Sequence, residues 1–184
     1  MVDCPEWDDD CRIKVYHSAV ATYVAPSDSC GVGGMHHERI HASPGWRHDP
    51  MGRYDCALVT VDAEAPGFRG FEAVRIRLFF DFQRETDTKP HACALVEWFS
   101  KCGPAPCADT GMWIVEPDMD TSQNRVMSVI HVDSMYRGVH LLPVFGRSRV
   151  PTEPDCLLHS HTLDAFKAFY VSKYADHHAH EILF

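Results

Sequence analysis

The sequence predicts a mainly β domain of the α+β type: a small antiparallel β-barrel or curled sheet, with an irregular N-terminal arm and one C-terminal helix. Three observations carry this. Residues 71–82 alternate, with Val74, Ile76, Leu78, Phe80 and Phe82 on one face and Arg75, Arg77 and Asp81 on the other, the period of a half-buried strand. Five more short apolar runs lie between Tyr54 and Phe145, separated by Gly, Pro and Asp, the spacing of a small barrel. After Thr162, one stretch carries apolar residues at helical spacing.

The elements follow in chain order. Residues 1–53 read as the irregular arm. Within it, Tyr16 to Val24 has strand or short-helix character, and Ala25-Pro-Ser-Asp-Ser is a turn. Gly31-Val-Gly-Gly34 is a joint without the Lys-Ser or Lys-Thr of a phosphate loop. Residues 54–146 form the barrel core, with strands at Tyr54–Val61, Phe71–Phe82, His91–Phe99, Met112–Glu116, Val126–Val132 and Val139–Phe145. Alternation places Val74, Ile76, Leu78 and Phe80 inside and Arg75 and Arg77 outside. Pro143 cannot donate to a ladder, so it belongs on an edge or at a bulge. Residues 147–184 are a loop and a helix in the same domain. Thr162 caps that helix, Asp164 lies in its first turn, and Leu163, Phe166, Phe169 or Tyr170, and Tyr174 form a stripe that packs on the barrel.

Composition narrows the class. The chain has 184 residues, 45% of them hydrophobic, enough to bury a core. Twenty-six carboxylates against 17 Lys and Arg give a net charge of −9, unlike a protein that coats nucleic acid. No apolar run has the length of a membrane span, so no membrane partner is expected. The acidic N-terminus lacks the features of a signal peptide, which points to an intracellular protein. The eight cysteines then sit in a reducing compartment as free thiols. Cys102 and Cys107 flank a turn without the second pair that a zinc knuckle needs.

Three groups of residues are candidate sites. Trp98, Trp113 and Tyr136, with Phe99, have the composition of an aromatic pocket for a cationic group; the plainer reading is core. Arg39, Trp46, Arg47 and Arg53, interleaved with His36, His37, His41 and His48, can set arginine on phosphate and tryptophan on a base; the plainer reading is an arm anchored by Trp46. Asp176, His177, His180 and Glu181 place acid–histidine pairs four apart on a helix, the spacing of a zinc or other divalent-metal site. Against this stands an ordinary helix end, where histidines favour the macrodipole. His131 and Asp133 share a strand face, but no local signature makes them part of a hydrolase. No catalytic constellation emerges.

One long collinear set of segments resembles a known family. It includes Ser18-Ala-Val-Ala-Thr-Tyr-Val24, Arg53-Tyr-Asp-Cys56, Arg75-Ile-Arg-Leu-Phe-Phe80, Cys93-Ala-Leu-Val-Glu-Trp-Phe99, Asp109-Thr-Gly-Met-Trp-Ile-Val-Glu-Pro117, His140-Leu-Leu-Pro-Val-Phe-Gly146 and Asp164 through His178. The chain from about residue 15 resembles the C-terminal accessory region of CACTA-related, Plavaka-type transposon-encoded proteins of mushroom-forming basidiomycete fungi. Ala94 through Phe99 is also similar to a run in plant CACTA transposases. Barrels of the SH3-like and bromo-adjacent-homology-like kind likewise carry a Trp-Phe pair late in a strand. The family's catalytic region would lie upstream of these residues, and Cys102-Gly-Pro-Ala-Pro-Cys-Ala108 stands where relatives carry an acidic loop. The resemblance implies a detached accessory domain.

The expected function is a non-enzymatic interaction module with a protein or chromatin partner, and weak, non-specific contact with nucleic acid at most. No cofactor is expected, zinc being the one candidate. The alternatives are a metal-dependent hydrolase or nuclease using the C-terminal histidines, and a metal-stabilised structural domain.

Overall fold

The computed structural model describes residues 13–28, 32–46, 52–83, 87–146 and 161–184. The chain forms β1 (Lys14–Tyr16), β2 (Ser18–Val24), β3 (Met35–Ser43), β4 (Arg53–Tyr54), β5 (Cys56–Thr60), β6 (Phe71–Phe82), β7 (His91–Lys101), β8 (Ile114–Pro117), β9 (Met127–His131), β10 (Met135–Val139) and β11 (Leu141–Pro143). A single turn of helix, α1 (Thr162–Ala165), then leads to β12 (Phe169–Val171) and α2 (His177–Ile182). The predicted mainly β fold is the one observed.

The main sheet runs β10-β5-β6-β7-β8-β12-β11. Its terminal strands β10 and β11 are neighbours in sequence, separated only by His140. This bent segment pairs with β5 through its first half and with β12 through its second, so the sheet curls into a nearly closed barrel. The interior holds Leu58, Phe68, Ala73, Phe99, Trp113, Val115, Phe169 and Val171, with Ala179 and Leu183 from the C-terminal end packed into the same cluster. Pro143 lies in β11, which ends the sheet order, as its missing N–H requires.

A second cluster lies on the outer face of the same strands. Val59, Val74, Ile76, Phe79, Ala94 and Val96 pack there against Ile40 and Ala42 of β3. Within the described part of the arm, β2 and β3 are a seven-pair antiparallel hairpin rather than irregular chain. Its turn uses Gly33 and Gly34 at φ of 63° and 77°, a region glycine enters without steric cost. Richness in histidine and arginine masked the alternation that buries Tyr23, Ile40 and Ala42. Burying a side chain such as Ile40 contributes about 1.5–3 kcal/mol, enough to hold the hairpin on the barrel.

The register of β6 also departs from simple alternation. The pairing with β7 slips between Ile76 and Leu78, so Arg77 is the extra residue of a bulge. Beyond it the faces exchange. Phe79, not Leu78 or Phe80, joins the outer core, and Leu78 and Phe80 are only half-buried. Before the bulge, Val74 and Ile76 are fully buried, but so is Arg75, which was expected outside. Its guanidinium donates to both Asp164 oxygens at 2.9 and 3.0 Å and lies 3.7 Å from Glu97. Charge pairing supplies what alternation alone cannot: a reason to bury an arginine.

The expected long C-terminal helix is likewise replaced. Phe169 and Val171 enter the barrel core as a strand paired with β8 and β11. The run Phe-Tyr-Val fits a pleated surface, and here tertiary pairing overrides the helical spacing.

Two truncations test this register. Ile76→Ala is expected to cost roughly 2–5 kcal/mol in urea denaturation, the range for a buried Ile. Arg75→Ala is expected to cost about 1.5–3 kcal/mol, because it removes two charge-assisted hydrogen bonds to Asp164 and leaves buried Glu97 with Arg77 alone, 3.4 Å away. A near-neutral Arg75→Ala would restore the uninterrupted alternation.

Candidate functional site

Between the hairpin and the barrel is a cleft of about 340 Å³. Glu38, Arg39 and Ile40 of β3 form one side, Arg53, Tyr54, Asp55 and Cys56 another, and Gly138 through Leu141 with Thr162 and Leu163 the rest. Its residues come from five strands and α1, so the cleft exists only once the hairpin has docked.

Asp55 organises one wall. Its Oδ2 accepts from the His41 backbone N–H at 2.9 Å and lies 2.8 Å from His41 Nδ1, while Oδ1 accepts from Arg53 Nε at 2.8 Å. Burial alone would raise this carboxyl, but the hydrogen bonds from Arg53 and His41 outweigh it and hold it below the ordinary carboxylate range. Trp46 stands beside this pair, with the His41 ring edge-on at 5.0 Å and the Arg53 guanidinium over its face at 4.9 Å. Tyr54 carries Arg77 over its ring at 4.5 Å. Behind the cleft, burial pushes the Cys56 thiol up to about 12, so it stays protonated and unreactive.

Glu38 organises the opposite wall. Its Oε2 accepts from the Gly138 N–H at 3.0 Å and from Tyr23 Oη at 3.4 Å. A Cβ on residue 138 would stand 2.7 Å from Glu38 Oε1, so a side chain there would displace the Glu38 carboxylate. Arg137, 3% exposed, lies behind. It places Nε 3.7 Å from Glu38 and grips Asp176 with both Nη atoms, at 3.0 and 2.5 Å. Asp176 also caps α2 by accepting from Ala179 N–H. His178 stacks on Tyr23 at 4.9 Å and lies 3.1 Å from Arg137 Nη1 through its Nδ1. Arginine can only donate, so Nδ1 is the acceptor, the ring is neutral, and Nε2–H donates to Tyr136 Oη at 3.3 Å.

The predicted sites are only partly assembled. Arg39 and Arg53 meet at the cleft and Trp46 adjoins it, while Arg47 lies outside the described residues. The aromatic pocket is not formed. Trp113 is 4% exposed inside the barrel against Phe68. Trp98 lies on the outer face, its Nε1 donating to Ser128 Oγ. Tyr136 stacks with Tyr23, Phe71 and His178. Trp113 and Tyr136 pack into the interior cluster while Trp98 packs against the outer one, so the three rings do not line one pocket. Nor do the four candidate metal ligands converge. Asp176 is held by Arg137, while His177, His180 and Glu181 are exposed on a six-residue helix, with His180 beside Tyr174 and Phe184. Among the described residues, no group of three or more His, Cys, Asp or Glu is placed to hold a metal ion. The four described cysteines, Cys56, Cys93, Cys102 and Cys107, are free thiols, as expected. Among the described residues, no helix is long and apolar enough to cross a membrane.

Glu38, Asp55, Arg137, His140 and His178 were not legible as site residues, and Asp176 was legible only as a metal ligand. Their partners lie far away in the chain, and no short motif links them. No family model matches the chain, and no curated protein or solved structure matches it either.

The geometry around His178 makes stability depend on pH. Burial and then the Arg137 charge hold its pKa below the ordinary value. Stability from this group is fully present above the unfolded value of about 6.5 and falls as pH drops through the lower folded value. A second loss follows at more acid pH. The Arg137 hydrogen bonds lower Asp176 to about 2, so its contribution fades between the unfolded value of about 3.9 and that point. Thermal melts between pH 7.5 and 4.5 are expected to show a falling Tm below pH 6.5, reduced in His178→Gln.

Proposed function

We propose that the chain is a non-enzymatic interaction module, of transposon-derived origin and nuclear location, whose cleft binds a protein or chromatin partner. The reading rests on the charge balance of the cleft. Two arginines, Arg39 and Arg53, and two carboxylates, Glu38 and Asp55, line it. That arrangement favours a polypeptide with polar and charged side chains over a phosphate backbone, which needs a net cationic surface. The state of the carboxylates favours binding over chemistry. Asp55 is committed to two partners and its pKa is lowered, the opposite of a general base tuned toward neutrality. The transposon origin rests on the resemblance in sequence. The net charge of −9 steers cationic partners toward the surface, and lysine-rich chromatin tails have that chemistry.

Fluorescence anisotropy across a salt series tests this, with a labelled lysine-rich peptide of histone-tail composition, duplex DNA and single-stranded DNA as probes. The peptide is expected to bind saturably, and Arg39→Glu to tighten it by roughly 3–10-fold by removing one repulsive charge. DNA is expected to bind weakly and without sequence preference. Its log–log salt slope should be about 3 or smaller in magnitude, because Arg39 and Arg53 at the cleft neutralise few phosphates. Sub-micromolar, sequence-selective DNA binding at physiological salt, lost in Arg39→Glu, would make nucleic acid the partner.

A further inference from the structure

The β6–β7 ladder extends past the bulge at Arg77 into a four-stranded flap in the order β1-β6-β7-β9. One face belongs to the outer core under the hairpin. The opposite face is also largely apolar, broken by Glu97 opposite Met127 and His131 opposite Cys93. Val15 pairs with Phe80, which pairs with Cys93, and Leu78 pairs with Leu95, which pairs with Val129. Met127 follows on the same face of β9. Strands that are apolar on both faces have the pattern of a sheet covered on both sides. Yet Val15, Met127 and Val129 are 50%, 53% and 55% exposed, and Leu78, Phe80 and Leu95 are half-buried.

The two edges of the flap differ. β1 is three residues long and carries Lys14, and short length and lysine guard an edge against pairing. β9 has no such guard. Among the described residues it pairs with β7 alone, and Val126 through Val132 contains no Asp, Glu, Lys, Arg or Pro. Beside it stands Asp133, with an 89% exposed side chain. Four strands about 4.8 Å apart, over about five residues, offer roughly 300 Å². A stable dimer needs about 800 Å² from each partner. The face therefore matches one added segment better than a second copy of the chain.

We propose that β9 is a strand-addition site, which takes an extended segment of another protein that is apolar at alternate positions and carries a cationic residue opposite Asp133. The added strand hydrogen-bonds to the open edge of β9 and lays its apolar side chains beside Val129 and Met127. This rests on reading the chain as a protein-binding module, but on a surface separate from the cleft.

The probe is a nine-residue peptide of alternating valine and threonine with a lysine at each end, added to the full chain. Hydrogen exchange is expected to show at least tenfold slower exchange of β9 amides at saturating peptide. Val129→Lys and, separately, Met127→Lys should abolish this protection without lowering Tm, since both side chains are more than half exposed and Met127 stands opposite Glu97. Arg39→Glu should leave it unchanged. Failure of the cleft reading would therefore show in the anisotropy series alone, and failure of this one in β9 exchange alone. No protection at millimolar peptide, or equal protection in both β9 variants, would overturn the proposal. Self-association of the chain without peptide, abolished by Val129→Lys, would also overturn it by making the occupant a second copy.

Discussion

The rest of the structure depends on one buried cation. Arg137 sits on β10, where it reaches Glu38 of the hairpin and Asp176 and His178 at the C-terminal helix. Removing a guanidinium from water costs several kcal/mol, and only well-placed acceptors offset that. Here two carboxylates, a neutral imidazole and the face of Tyr23 at 4.9 Å surround it. Those acceptors come from residues 38, 176 and 178, so the charge is satisfied only when the hairpin, the barrel and the chain terminus have met. That requirement turns three weakly coupled pieces into one unit, and it aligns Glu38 and Gly138 as one wall of the cleft.

Arg75 repeats the logic at the other side of β5. It is buried beside Glu97 and bound to Asp164 of α1, while Arg125 donates to Leu163 O and lies over the Phe99 ring at 5.5 Å. One short helical turn is thus tied to the barrel by charge as well as by Leu163, which packs against the interior cluster. Paired charges of this kind specify geometry more than they add stability. In a barrel whose strands are mostly five residues or fewer, that is a sensible use of them. The cleft lies between these two groups, with Arg137's neighbours on one wall and α1 on its rim.

How much of this was legible depends on the range of the interaction. Alternation and turn spacing exposed the barrel because they are local. Val74, Ile76, Val96 and Phe99 are core residues whose periodicity can be read directly. The hairpin was obscured because His36, His37, Glu38 and Arg39 interrupt an otherwise ordinary strand. The bulge at Arg77 leaves no composition signal, so the faces of Leu78, Phe79 and Phe80 could not be assigned. The aromatic run at Phe166–Val171 satisfies helical and strand spacing alike, and only pairing with β8 and β11 decides between them. Of the candidate sites, the Arg39–Trp46–Arg53 group survives as neighbours of one cleft, because β3 and β4 are adjacent strands. The aromatic and histidine groups do not survive, since sharing a residue type brings nothing together in space.

The most direct test of the central claim is a double-mutant cycle between Arg137 and Asp176, using Arg137→Met, Asp176→Asn and the double variant in urea denaturation at pH 7.5. If the buried ion pair ties the terminus to the barrel, the two single changes should be strongly non-additive, with a coupling energy above about 1.5 kcal/mol. Additive effects within about 0.3–0.5 kcal/mol would mean that the two residues act independently. The barrel and its C-terminal helix would then be held together by apolar packing alone.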